Sequence, residues 1–243
     1  MTNEPHFVTG QNLSMAQAIE AILFDLDDTL LDGAAAWRSG METLLLARCP
    51  HLDRAAALDA WNTVFEEYFA RYLTGVARIR AWAEAVSVEV VAGDELLWFD
   101  DYLAGYQAGW AAFDDVEPTL PLLRGFRLGV VTNGDGGQQQ AKLTALGLGS
   151  ALEVVVCSGD VGFAKPDRRI FEVAADRLGL SPDHCLFVGD RRDSDALGAL
   201  GAGMSALWLN RKGQPSPDDL VPEIDTLHRL PTFVAAPPAD REG

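Results

Sequence analysis

The stretch Ala21-Ile22-Leu23-Phe24-Asp25-Leu26-Asp27-Asp28-Thr29-Leu30 determines how this chain is interpreted. Its apolar start predicts a buried strand, and two carboxylates spaced by one residue follow directly. Residues i and i+2 of an extended segment face the same side, so Asp25 and Asp27 can face one ligand. Two carboxylates this close repel, and a divalent cation or a shared proton relieves the repulsion. The pattern indicates a phosphoryl-transfer site, although acidic residues that only cap a turn would look the same.

Further apolar runs along the chain also end in polar residues. Nearly all-apolar runs of this kind are typical of strands buried on both faces of a parallel sheet. Open α/β sheets bind ligands at the carboxyl ends of their strands, so these runs are predicted to deliver polar groups to one edge. The runs are Leu128–Val131 before Thr132-Asn133-Gly134, Leu152–Val156 before Cys157–Asp160, Cys185–Val188 before Gly189-Asp190, and Ala206–Leu209 before Asn210-Arg211-Lys212.

Helical patterns fill the intervals between these runs. Apolar residues recur at helical spacing from Arg168 to Leu178, with Asp167 just ahead and Gly179 as a stop signal. A shorter helix is predicted from Gln138 to Leu146. Alternation of strands and helices predicts an α/β fold, a doubly wound, Rossmann-like parallel sheet.

Four short motifs resemble those of the haloacid dehalogenase-like (HAD) superfamily, in the same order. The resemblance spans roughly residues 20–212. Each motif is weak alone, but four in order on predicted strand ends form a strong signal. They are Asp25-Leu26-Asp27-Asp28-Thr29, Thr132-Asn133-Gly134, Lys165-Pro166-Asp167, and Gly189-Asp190 with Asp195 beyond.

The resemblance implies a catalytic role for each matching residue. Asp25 would be the nucleophile that forms an aspartyl-phosphate. Asp27 would be the general acid that protonates the leaving alcohol and then the base that deprotonates water. Thr132 and the backbone amide of Asn133 would hold the phosphoryl oxygens.

A bound cation is expected because a phosphate monoester brings about two negative charges to an acidic pocket. Oxygen ligands and retained waters favour Mg²⁺. By resemblance, the carboxylates of Asp25 and Asp190 and the backbone carbonyl of Asp27 would be the metal ligands. Asp193 is a candidate outer-shell partner.

The remaining motif residues have two interpretations. Lys165, one of three lysines in the chain, would neutralise charge on the nucleophile and phosphoryl group, and Asp195 would orient it. Both could instead be surface charges. Arg191 and Arg192, where many phosphatases of this superfamily have a small hydroxylated residue, could meet a substrate anion or lie on the surface.

Asp27 favours one activity among those of the superfamily. Dehalogenases of the superfamily that this chain resembles lack the second aspartate, because halide leaves without protonation. The resemblance therefore implies a Mg²⁺-dependent phosphatase acting on a small phosphorylated metabolite rather than a haloacid dehalogenase. A phosphomutase of the β-phosphoglucomutase type shares every core motif and remains an alternative. A phospho-aspartate signalling module is disfavoured, because receiver domains have about 120 residues and no large insertion.

Residues 33–113 are rich in helix formers and are interpreted as an all-helical cap inserted after the first strand. The α/β core would comprise residues 18–32 and 114–232, with flexible tails at 1–17 and 233–243. Tyr72, Arg78 and Arg80 are candidate substrate-binding residues. Two aromatic faces are predicted within the cap: Leu58, Trp61, Phe65, Tyr68, Phe69 and Tyr72, and Leu96, Phe99, Tyr102, Leu103, Tyr106 and Trp110.

Composition limits the partners and the compartment. A net charge of −17 argues against a nucleic-acid partner. No stretch approaches the roughly 18 apolar residues of a membrane span, so no membrane association is expected. The three cysteines have no metal-type spacing and, with no apolar leader at residues 1–17, favour a reducing, cytoplasmic location. A monomer or a homodimer is expected.

Overall fold

A parallel sheet forms the centre of the molecule. The computed structural model describes residues 19–69 and 75–235, with the backbone alone at 65–69. Within these residues the sheet has six strands in the order β3-β2-β1-β4-β5-β6, and every neighbouring pair is parallel. The strands are β1 (Ala21–Phe24), β2 (Arg127–Thr132), β3 (Val154–Cys157), β4 (Cys185–Gly189), β5 (Ser205–Leu209) and β6 (Glu223–Ile224).

The sheet confirms the predicted α/β class and aligns the ends of its central strands. Phe24 at the end of β1 pairs with Val130 of β2 and Val188 of β4. The polar residues that follow these strands therefore emerge at one edge of the sheet. The short edge strand β6 was not among the predicted strands.

Helices pack on both faces of the sheet. The helix predicted at 168–178 has those bounds, because the Asp167 side chain accepts a hydrogen bond from the Arg169 amide (3.0 Å) and Gly179 adopts a left-handed φ of 65°. The other predicted helix begins two residues earlier, where Asp135 caps its first turn (2.9 Å to the Gln138 amide). The helices are α1 (Gly33–Arg48), α2 (Arg54–Phe69), α3 (Gly75–Ala85), α4 (Glu95–Ala108), α5 (Val116–Thr119), α6 (Gly136–Ala145), α7 (Ser158–Val161), α8 (Arg168–Leu178), α9 (Gly198–Gly201) and α10 (Leu230–Ala235).

Helices α1–α4 form the segment between β1 and the rest of the core. Their apolar residues make a separate hydrophobic cluster in which Trp61, Trp82, Trp98 and Tyr102 are buried. Leu96 departs from the predicted aromatic face of α4, because it is 65% exposed. The side chains of Phe65, Tyr68 and Phe69, and all of Tyr72, lie outside the described residues.

The chain leaves and re-enters the core at adjacent points. The Asp32 amide donates to the Ala111 carbonyl (2.9 Å), and the Phe113 amide donates to the Leu30 carbonyl (3.0 Å). A single antiparallel bridge joins Leu31 to Ala112 between them. The two connections are therefore held side by side by backbone hydrogen bonds.

The position of α10 differs from one predicted boundary. A flexible tail was expected from residue 233, but α10 continues to Ala235, and Phe233 and Val234 pack against the core. The predicted tail at residues 1–17 lies outside the described residues. Among the helices that the structure describes, none has the length and apolar character that a membrane span requires.

Candidate active site

A buried ion-pair triad lies at the carboxyl edge of the sheet. The Lys165 ammonium donates to Asp25 Oδ1 at 2.6 Å, and its nitrogen lies 2.8 Å from Asp195 Oδ1. The exposed fractions of these side chains are 3% for Lys165, 9% for Asp25 and 1% for Asp195. Burial alone would lower the pKa of Lys165, but the two carboxylates outweigh it and raise that pKa. The lysine is therefore charged, and the triad is an ion-pair network rather than a set of surface charges.

Asp190 adds a third carboxylate to this cluster. One oxygen from each of Asp25, Asp190 and Asp195 can be chosen so that all three lie within 4.8 Å of one another. Asp190 Oδ1 is buried and accepts no hydrogen bond from any described residue. Gly189 makes the approach feasible, because a Cβ there would lie only 2.4 Å from Asp195 Oδ2. The cluster thus concentrates negative charge that the protein neutralises only in part.

Burial and the close approach of these carboxylates raise the pKa of two of them, Asp25 and Asp190. Burial raises the pKa of Asp25 to about 7, the charges of Asp195 and Asp27 add to the shift, and Lys165 opposes it. Burial also raises the pKa of Asp190 to about 8, reinforced by the charges of Asp25 and Asp195. A divalent cation would relieve both effects, because it favours the ionised form of each ligand.

The orphaned oxygen of Asp190 and the all-oxygen donor set fit a hard cation such as Mg²⁺. Asp195 is less available than Asp190, because its Oδ1 faces Lys165 and its Oδ2 accepts from the Arg191 amide (3.0 Å). The side chain of Asp193 is 93% exposed and its Oδ1 lies 3.9 Å from Arg192. This placement corrects the expectation for Asp193, which faces solvent and not the cluster.

The second motif connects to the third through a side chain. Asn133 Oδ1 accepts from the Lys165 amide (2.8 Å), and its Nδ2 donates to the Lys165 carbonyl (3.1 Å). Asn133 therefore fixes the backbone that carries the lysine, a contact that its predicted role as a backbone donor did not include. Thr132, at the end of β2, is 1% exposed.

Thr29, part of the first motif, joins the nucleophile strand to the Asp190 loop. Its hydroxyl accepts from the Asp190 amide (3.0 Å) and lies 3.5 Å from Asp25 Oδ2. The Asp190 carbonyl in turn accepts from the Trp208 indole (2.8 Å). These contacts position the Asp190 loop relative to Asp25.

Asp27 is held by two residues of α6 that no motif contains. Lys142 Nζ donates to both Asp27 oxygens, at 2.7 and 2.9 Å. Gln139 Nε2 donates to Asp27 Oδ2 (2.9 Å) and to the Thr132 hydroxyl (2.7 Å). A sequence signal existed: Gln139 and Lys142 occupy inward positions of a helix whose neighbouring inward residue, Leu143, is fully buried.

The cap candidates are placed differently from one another. Arg80 forms an ion pair with Glu95 within the cap and is 60% exposed at its side chain, so its guanidinium is engaged away from the carboxylate cluster. Arg78 lies near Tyr102 and Tyr106. Burial raises the pKa of both tyrosines, and the positive charge of Arg78 opposes that rise. Tyr72 lies outside the described residues.

Arg192, in the fourth motif, is 12% exposed and pairs with Asp218.

Known proteins resemble this chain over most of its length. The family model for haloacid dehalogenase-like hydrolases matches residues 19–203. Phosphoserine phosphatase from Thermus thermophilus is 29% identical over 246 residues, which cover 89% of this chain and 99% of that protein. Glyceraldehyde 3-phosphate phosphatase from Methanopyrus kandleri is 33% identical over 225 residues, covering 85% and 92%.

A solved structure agrees with these relatives. YfnB from Bacillus subtilis, described as a HAD-hydrolase and crystallised bound to magnesium, superposes with a TM-score of 0.76 at 25% identity. The match covers 90% of this chain and 100% of that one.

Proposed function

Because the chain belongs to the haloacid dehalogenase-like hydrolase family, we propose that it is a Mg²⁺-dependent phosphatase for a small phosphorylated metabolite. The observation that carries this proposal is the meeting of Asp25 with the Lys165 ammonium, 2.6 Å away, beside the orphaned oxygen of Asp190. A buried carboxylate nucleophile, a cation for the transferring group and a metal ligand are the parts that phosphoryl transfer requires. Asp27 supplies the proton transfer that a dehalogenase does not need.

In the first step a carboxylate oxygen of Asp25 attacks phosphorus. The bond from phosphorus to the ester oxygen breaks, and an aspartyl-phosphate forms on Asp25. Asp27 gives its proton to the departing oxygen, which leaves as an alcohol. Lys165, held by Asp195, offsets charge on the transferring oxygens.

In the second step water attacks the aspartyl-phosphate. Asp27, now a carboxylate, takes a proton from that water, and the bond from phosphorus to Asp25 breaks. Inorganic phosphate leaves and Asp25 is restored. Asp25, Asp190 and the backbone carbonyl of Asp27 would hold Mg²⁺, which as a Lewis acid supplies positive charge to the phosphoryl oxygens.

The cap would determine which phosphoester enters. The Tyr106 ring, on α4 of the cap, lies 6.0 Å from Lys142 Nζ, which donates to Asp27. Burial and the charge of Asp27 raise the pKa of Tyr106, and the charge of Arg78 lowers it. A helical lid over such a site excludes water while the first step proceeds. Arg78 is therefore retained as a candidate substrate contact, and the two named phosphatase relatives support a small substrate.

The test is a screen of phosphorylated metabolites for phosphate release, with wild type and Asp25→Asn, in Mg²⁺ and in EDTA. We expect wild type to turn over at least one ester in Mg²⁺, and Asp25→Asn to lose about 1,000-fold or more. Asp176→Asn, which changes an exposed carboxylate on α8, is the matched control and should retain activity. Equal turnover by Asp25→Asn, or by wild type in EDTA, would contradict the mechanism.

A further inference from the structure

Lys142 is a buried cation without an assigned role in the reaction above. Its side chain is 4% exposed, and it reaches Asp27 with hydrogen bonds of 2.7 and 2.9 Å to the two carboxylate oxygens. Taking an ammonium group out of water costs several kcal/mol before any partner is counted. An apolar residue would fill this inward position of α6 at lower cost. The position therefore suggests a use for the charge itself.

Gln139 extends this contact to the phosphate-binding motif. It lies one helical turn before Lys142, on the same face of α6, and is 1% exposed. Its amide nitrogen donates to Asp27 Oδ2 (2.9 Å) and to the Thr132 hydroxyl (2.7 Å). The opposite amide orientation would place an oxygen against the carboxylate, so Asp27 determines how Gln139 is turned.

The cap covers the same ammonium group. Lys142 Nζ lies 6.0 Å from the centroid of the Tyr106 ring, on α4. The carboxylate of Asp27 is 39% exposed, whereas the Lys142 side chain is 4% exposed, so Asp27 is accessible from solvent and Lys142 is not. Lys142 is thus buried and hydrogen-bonded to Asp27, where it can orient that carboxyl group without being exposed to the substrate.

We propose that Lys142 and Gln139 are positioning residues that hold the Asp27 carboxyl group toward the leaving oxygen. The inference rests on the proposed function and deepens it. Lys142 engages both carboxylate oxygens and Gln139 engages one, so rotation of the carboxyl group is restricted. Proton transfer to a leaving group depends on such alignment, because a carboxyl group turned away cannot protonate the departing oxygen.

The leaving group provides the diagnostic measurement. A general acid matters most for an alcohol that leaves poorly and little for one that leaves readily. We would measure kcat/KM with Mg²⁺ for a series of substituted phenyl phosphates, from p-nitrophenyl to p-methoxyphenyl phosphate, and for one alkyl phosphate. For Lys142→Met we expect a loss of about 10- to 100-fold on the poorest leaving group and less than about threefold on p-nitrophenyl phosphate.

Matched variants separate this role from a general effect of charge or folding. Arg124→Met removes one positive charge from an exposed side chain outside the site and should leave the leaving-group slope unchanged. Lys142→Arg keeps a cationic donor and should restore part of the loss. Gln139→Leu gives a second measurement should Lys142→Met fail to fold, as judged by circular dichroism.

A double variant tests whether Lys142 acts through Asp27. In the Asp27→Asn background, Lys142→Met should cost less than about twofold more, because the group it positions is absent. An equal loss across the whole series, or full additivity with Asp27→Asn, would overturn the inference while leaving the phosphatase activity established. A wild type that hydrolyses no phosphate ester would overturn the proposed function and this inference together.

Discussion

At the scale of single residues, Asp190 carries the strongest electrostatic conflict in the described site. Its folded pKa of about 8 lies well above the unfolded value of 3.8, because burial and the charges of Asp25 and Asp195 oppose its ionisation. A carboxyl group with a raised pKa supports the folded state below the unfolded pKa, and that support is lost as pH rises toward the folded pKa. In the metal-free chain, Asp190 therefore weakens folding progressively from pH 3.8 to about 8.

Asp190→Asn should stabilise the protein in EDTA while abolishing its response to Mg²⁺. The neutral amide removes the repulsion, so at pH 8 we expect a gain of about 1–3 kcal/mol in the free energy of unfolding, with no gain near pH 4. Wild type should melt at a higher temperature with Mg²⁺, and the variant should not. A variant that melts below wild type in EDTA at pH 8 would show that the carboxylates do not repel as described.

Asn133→Ala should damage catalysis by releasing the lysine of the third motif. It removes both hydrogen bonds to the Lys165 backbone, so Lys165 would lose its alignment with Asp25. We expect kcat to fall by about 10- to 100-fold, with a loss of about 1–3 kcal/mol in stability. Asn62→Ala, on an exposed position of α2, is the control and should change neither quantity. If Asn133→Ala lowered stability and left kcat unchanged, the role of Asn133 would be structural only.

At the scale of elements, glycines set how closely α1 and α4 pack in the cap. A Cβ on Gly105 would lie 2.3 Å from Thr43 Oγ1 and 2.6 Å from the Ser39 carbonyl oxygen. A Cβ on Gly40 would lie 2.7 Å from the Tyr102 ring. These contacts leave no room for a methyl group between the two helices.

Gly105→Ala should therefore destabilise the cap by about 1–3 kcal/mol, the usual cost of overpacking. Five of the six tryptophans lie between residues 33 and 113, so intrinsic fluorescence during urea unfolding reports mainly on this segment. Gly201→Ala in α9, where an added methyl would meet no atom outside its own helix within 4 Å, should be neutral or slightly stabilising. Similar unfolding curves for the two variants would contradict the close packing of α1 on α4.

Sequence patterns predicted the elements whose signals are local. Five strands were predicted because each is a nearly all-apolar run that ends in polar residues, and helix α8 was predicted because Asp167 and Gly179 mark both its ends. Strand β6 has two residues, too few for any periodicity. Leu96 fits the apolar pattern of α4 but is exposed. The pattern was misleading here because spacing alone does not show which side of a helix packs against a neighbour.

At the scale of the whole molecule, Asp115 joins the end of the cap segment to the distal edge of the sheet. It forms two hydrogen bonds of 2.8 Å with Arg211, which lies after β5, and accepts from the Thr226 hydroxyl (2.7 Å) and the Leu227 amide (2.8 Å). Burial alone would raise the pKa of Asp115, but these hydrogen bonds outweigh it and lower that pKa. The Arg211 guanidinium also lies 3.9 Å from the centroid of the Phe113 ring.

Asp115→Asn should cost about 3–5 kcal/mol at neutral pH, because it leaves the largely buried Arg211 without its counter-charge. A lowered folded pKa means that Asp115 supports the folded state above the unfolded pKa of 3.8, and that support is lost as pH falls through the folded pKa. The difference from wild type should therefore shrink in acid. Asp225→Asn, which breaks the exposed Arg229 ion pair, should change stability by less than about 1 kcal/mol; equal effects of the two variants would contradict this assignment.

The convergence of the site could be anticipated only where strands carry its residues. Thr132 ends a parallel strand, and Asp25 and Asp190 directly follow two others, so topology alone predicts that the three residues meet. Lys142 and Gln139 reach the site from the face of a helix, and their contact with Asp27 depends on how α6 packs against the sheet. Sequence spacing does not encode that packing, and its trace in the sequence is two polar residues, Gln139 and Lys142, at inward positions of α6.

Backbone hydrogen bonds at Asp32 and Phe113 hold together the two points where the chain leaves and re-enters the core. Because the strand that carries the nucleophile is tied to the returning chain by these bonds, we expect that a cap of another length inserted between the two points would leave the end of β1 in place. If this segment is replaced by that of a relative, we expect the substrate preference to become that of the relative, while the reaction catalysed by the core stays the same. In this architecture selectivity and reactivity can diversify independently.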